Sequence, residues 1–131
     1  MILVVLRSRN NGTGDTMAKA VIHAQNSVRR YGGVVTDYIA IHEKMDETKK
    51  CFAKVAHRCI FHSAYGVWLI EEIFGRQIRN SAGKDVSVRG IAEDHVLEDL
   101  GFIPSLDDWL KEIPSQPWMA GARATKIKVI D

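Results

Sequence analysis

Five histidines, His23, His42, His57, His62 and His95, are the side chains in this sequence best suited to chemistry. Neutral imidazole binds zinc-type ions and titrates near neutral pH, so it can serve as a metal ligand or a general base. Carboxylates accompany several of these residues. Asp46 follows His42 by four positions, and Glu98 and Asp99 follow His95 by three and four. Such steps put side chains on one helix face wherever a single helix carries both. His57 and His62, five apart, lie about 140° apart around a helix and cannot chelate one ion by themselves. A shared site therefore needs one of them plus ligands from other elements. The candidate metal set is His42, Asp46, His57, His62 and His95. Its ion would be zinc or a similar divalent metal, with a bound water made acidic for hydrolysis.

The competing reading is that each ring bonds a local carbonyl or carboxylate and only supports the fold. Arg58 beside His57 repels a cation unless it turns outward or pairs with an acid such as Glu72. Known catalytic signatures are missing: there is no His-Glu-x-x-His, no adjacent His-Asp pair, no Gly-x-Ser-x-Gly and no phosphate-binding glycine loop. No catalytic residue is assigned on sequence grounds, and no cofactor other than a metal is indicated.

The elements that must position these residues follow from apolar spacing and breaker residues. Residues 1–7 read as a short buried strand. Met17 to Tyr31 has the spacing of an amphipathic helix closed by Gly32 and Gly33. Thr36 caps a short helix over 37–45. Asp46 then caps a long central helix running to Phe74, with a stripe of Phe52, Ala56, Cys59, Ile60, Ser63, Val67, Ile70 and Phe74. That helix would be about 40 Å long. Gly66 within it costs roughly 1 kcal/mol against alanine, which a close helix crossing would offset. Residues 77–80 and 85–88 flank Ser81-Ala82-Gly83-Lys84 as a β-hairpin. A helix from Ser87 or Val88 to Leu100 stops at Gly101, and Ser105 caps another short one. Trp109 and Trp118 flank a proline-rich bend and are expected to close the core; an exposed Trp118 would point to a binding surface instead. Residues 125–130 alternate as a half-exposed strand that pairs with residues 2–7.

The fold class expected is mainly α with a small β component: a long central helix wrapped by three or four shorter ones, one hairpin and a terminal strand pair. The domain division is 1–16 as an extension or strand, 17–119 as the helical core and 120–131 as a tail. Met17 is a candidate true start, with residues 1–16 upstream of it.

At 131 residues the chain is of ordinary single-domain size. A 46% apolar, 26% charged composition excludes disorder along its whole length. A net charge of +2 does not indicate nucleic acid. No segment reaches the ~18 apolar residues of a membrane span. Cys51 and Cys59, eight residues apart on the expected helix, would lie about 12 Å apart, too far for a disulfide. Free, buried thiols suit the cytoplasm of a bacterium or of an infected host cell. The basic residues Arg76, Arg79, Lys84 and Arg89 precede an acidic run, and are either a solvated face or a binding surface.

The pattern Tyr38-x-x-Ile41-His42-x-x-x-Asp46, His57-Arg58-x-x-x-His62 and Glu72-x-Phe74-Gly75 resembles a family of short uncharacterised proteins from bacteria and their phages. The run from Asn80-Ser81 through Val88-Arg89-x-Ile91-x-Glu93-x-His95 and Glu98-Asp99-Leu100-Gly101 to Ile103-Pro104-Ser105 and Asp108-Trp109-Leu110 carries the likeness further. The similarity spans about residues 18–119 and implies a helical domain with a hairpin, and no activity. Three functional classes follow: a non-enzymatic accessory protein that binds another macromolecule, which is the leading expectation; a small His/carboxylate metalloprotein, with metal-dependent hydrolysis as its candidate activity; and an assembly subunit that forms a homo-oligomer through its terminal strands.

Overall fold

The computed structural model describes residues 12–51 and 54–121. The expected terminal strands and their pairing lie outside these residues. Among the described residues the chain is mostly helical with one two-stranded antiparallel sheet, an α+β arrangement as expected. No helix among them is long and apolar enough to cross a membrane.

Helix α1 (Gly12–Tyr31) begins before Met17 and ends where Gly32 and Gly33 take positive φ. A short 3-10 turn (Val35–Asp37) leads into α2 (Ile39–Met45). Thr36 therefore caps nothing. Asp37 instead accepts the Val34 and Ser81 amides and the Ser81 hydroxyl, tying this turn to the hairpin.

The long helix over 46–74 is a correction. Asp46 is the C-cap of α2 and leads into a 3-10 turn rather than a long α-helix, its side chain capping neither, and two such turns (Glu47–Lys50 and Val55–Cys59) follow. Only Ala64–Phe74 forms an α-helix, α3. Ser63 starts it: its backbone is extended (φ −149°, ψ 169°) and its hydroxyl accepts the Gly66 amide at 3.0 Å. The apolar stripe is not a buried face through this break: Ala56 and Ile60 are exposed and Cys59 is half-buried. Cys51 is exposed and Cys59 half-buried, both free, so neither is the buried thiol expected.

Gly66 is required at this junction, though not for a crossing helix. A Cβ there would fall within 3.0 Å of the Ile60 and Phe61 carbonyl oxygens, backbone that folds back across the first turn of α3. Gly66→Ala is expected to destabilise by about 3 kcal/mol, since backbone cannot swing aside as a side chain does. Urea unfolding would show it, against a much milder Gly101→Asn control at a site with open space in the left-handed conformation that asparagine also adopts.

Strands β1 (Gln77–Arg79) and β2 (Asp85–Ser87) pair in the register Ile78 to Val86. The Asn80 side chain organises the turn, accepting the Ala82 and Lys84 amides while donating to the Tyr31 carbonyl and Tyr38 hydroxyl. Helix α4 (Val88–Leu100) follows directly, capped by the Ser87 hydroxyl and closed by Gly101 in the left-handed conformation. Helix α5 (Leu106–Leu110) has the expected Ser105 cap, in a capping box with Asp108. The core gathers Ala24 from α1, Tyr38, Ile41 and Met45 around α2, Val67 and Ile70 from α3, and Ile91, Ala92 and Val96 from α4. Trp109 is half-buried and donates from its ring to the His62 carbonyl at 3.0 Å, but Trp118 is 64% exposed and closes no core.

Candidate metal centre

Four separate stretches of chain send polar side chains into this core. Helix α1 contributes His23 and Ser27, α2 contributes His42 with Asp46 at its cap, the turn before α3 contributes His62, and α4 contributes His95 with Asp99 one turn on. Of the expected set, His42, Asp46, His62 and His95 come together and are at most 4% exposed. Two overlapping groups have donor atoms within 4.8 Å of one another: His23, His42 and His95, and Asp46, His62, His95 and Asp99.

The second group has the dimensions of a coordination sphere. His62 Nε2 is 2.8 Å from Asp99 Oδ2 and 3.6 Å from Asp46 Oδ1, and His95 Nε2 is 3.4 Å from each of these oxygens. A tetrahedral ion with bonds of ~2.0–2.1 Å needs its ligand atoms about 3.3–3.4 Å apart, because the tetrahedron edge is ~1.63 bond lengths. Hydrogen bonding alone would draw such atoms to about 2.7–3.2 Å, and only the His62–Asp99 pair is that close.

The surrounding groups orient these four. With His95 Nε2 facing the two carboxylates, its Nδ1–H points to His42 Nδ1 at 2.8 Å. His42 Nε2–H then donates to Ser27 Oγ at 2.8 Å, and the Ser27 hydroxyl donates to the His23 carbonyl at 3.3 Å. That direction is the one an ion on His95 Nε2 would impose, in the manner of outer groups around metal-bound imidazoles; with Nε2 protonated toward the carboxylates the same chain runs in reverse, from Ser27 through His42 to His95. Burial, reinforced by His95 and His23, pushes the His42 pKa down to about 3, so His42 is the neutral relay this chain requires.

On the other side His23 places Nδ1 2.6 Å from Glu98 Oε1 and Nε2 3.2 Å from Asp99 Oδ1. Burial opposes a charge there, but the hydrogen bonds to Asp99 and Glu98 prevail and lift its pKa to about 9. His23 is thus an imidazolium that grips the outer oxygen of Asp99, while Asn26 and Arg30 hold Glu98 in turn. Glu98, despite its burial, is brought down to about 2 by the same bonds to His23, Arg30 and Asn26. An imidazolium whose two nitrogens both face carboxylates has no lone pair to offer, so the His23, His42, His95 group is the poorer metal site.

Electrostatics favour a cation at the centre. Burial raises the cost of ionising Asp46 and Asp99, yet both are held below the usual carboxylate range, Asp46 by His95 and His62 and Asp99 by His23, His62 and His95. His62 is pushed down, chiefly by burial, and so stays neutral. Two buried carboxylates thus face one another across the His62 and His95 ring nitrogens, with Arg58 at 4.0 Å from Asp99 Oδ2. Asp46 Oδ2 and His62 Nδ1 are buried without hydrogen-bond partners, a cost that native structures seldom leave unexplained.

His57 does not join the cluster. Its Nδ1 lies 3.3 Å from Thr48 Oγ1, and it lines a small crevice beside Asp46 with Lys19, Lys49 and Arg58. The outer residues His23, Ser27 and Glu98, and the inner Asp99, were not in the expected set. For Asp99 the signal was its place one turn after His95; for His23 no local pattern exists, since its partners lie 75 residues away. Arg76, Arg79, Lys84 and Arg89 are exposed around the hairpin, with Arg79 paired to Asp85 at 3.1 Å and Arg89 to Glu93 at 3.9 Å.

No curated protein and no solved structure matches this chain. A family model described as a domain of unknown function (DUF6915) does match, over residues 18–119, and therefore covers His23 through Asp99 and every other residue of this centre. The chain belongs to that family.

Proposed function

We propose that this protein is a small metalloprotein that holds one divalent ion of the zinc class between Asp46, His62, His95 and Asp99. The observation that carries this reading is the set of four donor separations, 2.8 to 3.6 Å, centred on the edge length of a tetrahedral site. Two imidazoles and two carboxylates also give a donor set whose charge a divalent ion cancels, which suits a buried site. His42 acts as the outer partner of His95, and His23 as the outer partner of Asp99. In this position the ion would supply Lewis acidity and lower the pKa of any water that reaches it.

The test is elemental analysis of protein purified without chelator, repeated after dialysis against zinc. One ion per chain is expected, and its loss in a His62→Ala, His95→Ala double variant that keeps its helical circular dichroism. A wild-type chain that takes up less than about a tenth of an equivalent under both conditions overturns the reading.

A further inference from the structure

Of the four ligands, Asp46 borders a crevice of about 10 Å³ that it lines with Lys19, Lys49, His57 and Arg58. That is the size of a single water or one oxygen atom. Among the described residues, the Lys19 ammonium and the Arg58 guanidinium stand in this lining beside one carboxylate, the Asp46 ligand. Arg58 Nη2 lies 4.0 Å from Asp99 Oδ2, so the guanidinium stands next to one oxygen of the coordination sphere. Asp46 is 4% exposed, and its Oδ2 has no hydrogen-bond partner.

The geometry points to an oxyanion of the phosphate class as the exogenous ligand of this centre. One of its oxygens enters the crevice beside Asp46 to reach the ion, and the others remain outside against the Lys19 ammonium and the Arg58 guanidinium. This rests on the metal reading above. The size of the crevice excludes engulfing a larger group, and its charge repels amines and other cations. An oxygen is small enough to enter, zinc readily expands from four to five ligands, and the planar guanidinium fork matches phosphate oxygens bidentately.

A second cleft, of about 270 Å³ and lined by Lys19, Ile22, His23, Asn26, Glu98 and Asp99, shares Lys19 with the crevice. It has room for the organic part of a phosphate monoester, so the phosphoryl group arrives either as the free ion or as an ester.

The experiment is calorimetric titration of the zinc-loaded full chain with inorganic phosphate and, separately, with adenosine monophosphate, with zinc content measured on every sample. Binding of phosphate is expected, weakened at least about tenfold in Arg58→Gln and in Lys19→Gln at unchanged zinc content, as for loss of a charge-assisted hydrogen bond. Tighter binding of the monophosphate assigns the larger cleft to the ester; equal binding assigns the free ion. A zinc-loaded chain that binds neither probe, or variants that bind both as the wild type does, overturns the oxyanion assignment and leaves the metal centre standing. A chain that takes up no zinc removes both.

Discussion

Asp46→Asn is expected to abolish the zinc-dependent rise in melting temperature while leaving the chelator-treated protein close to its original stability. In the wild type, zinc at a hundredfold excess over its dissociation constant adds about 2.7 kcal/mol, which for a chain of this size is a rise of roughly 8–16 °C. The asparagine weakens one of four ligands and forfeits the charge that the ion balances, so most of that rise disappears. Without the ion, Asp46 has little to lose. Its Oδ2 has no partner, and its Oδ1 makes only the long 3.4 and 3.6 Å approaches to His95 and His62. Its charge also faces that of Asp99 within 4.8 Å. Removing it costs on the order of 1 kcal/mol, the attraction to His95 and His62 that holds its pKa down, and relief of the like-charge repulsion offsets part of that. Scanning calorimetry with zinc and with chelator separates this from a purely structural cluster, in which the variant would lower the melting temperature equally in both.

The contrast with Asp99 shows which parts of the site were legible in the sequence. Local spacing revealed what a single element positions, the α4 residues His95 and Asp99; His42 and Asp46, four apart, do not pair but reach His95 from its two sides. It also gave the hairpin, the Gly101 stop and the Ser105 cap, because each depends on residues within a few positions of one another. What it could not give was the break between α2 and α3. The apolar stripe from Phe52 to Phe74 is compatible with one helix, and nothing periodic in it shows that the chain turns at Ser63. The signal was present in Ser63 and Gly66, an N-cap hydroxyl and a residue without a Cβ three positions later, but an interior glycine alone does not say which backbone approaches it. That break decides the site. On a continuous helix His57 and His62 are equivalent candidates; with the chain turned between them, His62 enters the core against Asp99 and His57 stays at the rim with Thr48. His23 lay beyond reach for a different reason. Its chemistry comes from Glu98 and Asp99 on α4, a contact made by packing of α1 against a distant part of the chain.

That distant contact gives the chelator-treated protein a pH dependence traceable to one residue. His23→Gln is expected to remove the alkaline fall in stability and leave the acid fall in place. The His23 pKa is raised from 6.5 to about 9 in the folded state. The stabilisation from its charge is therefore complete below pH 6.5 and is lost as pH rises from there through about 9, amounting to on the order of 3 kcal/mol across the window. Groups with lowered pKa act in the opposite direction. Glu98, down from 4.5 to about 2, contributes stability present above its unfolded value and lost as pH falls through the folded one. His42, down from 6.5 to about 3, is buried neutral, so its contribution also fades with falling pH as the unfolded chain takes up the proton first. Wild-type stability should therefore peak slightly acid of neutrality. Glutamine keeps an amide that can bond one carboxylate but carries no charge, so the variant should start lower at pH 6 and run nearly flat to pH 9. Urea midpoints across that range decide it: curves for the two proteins that fall in parallel would place the alkaline titration elsewhere, whereas curves that converge at high pH assign it to the imidazolium between Glu98 and Asp99.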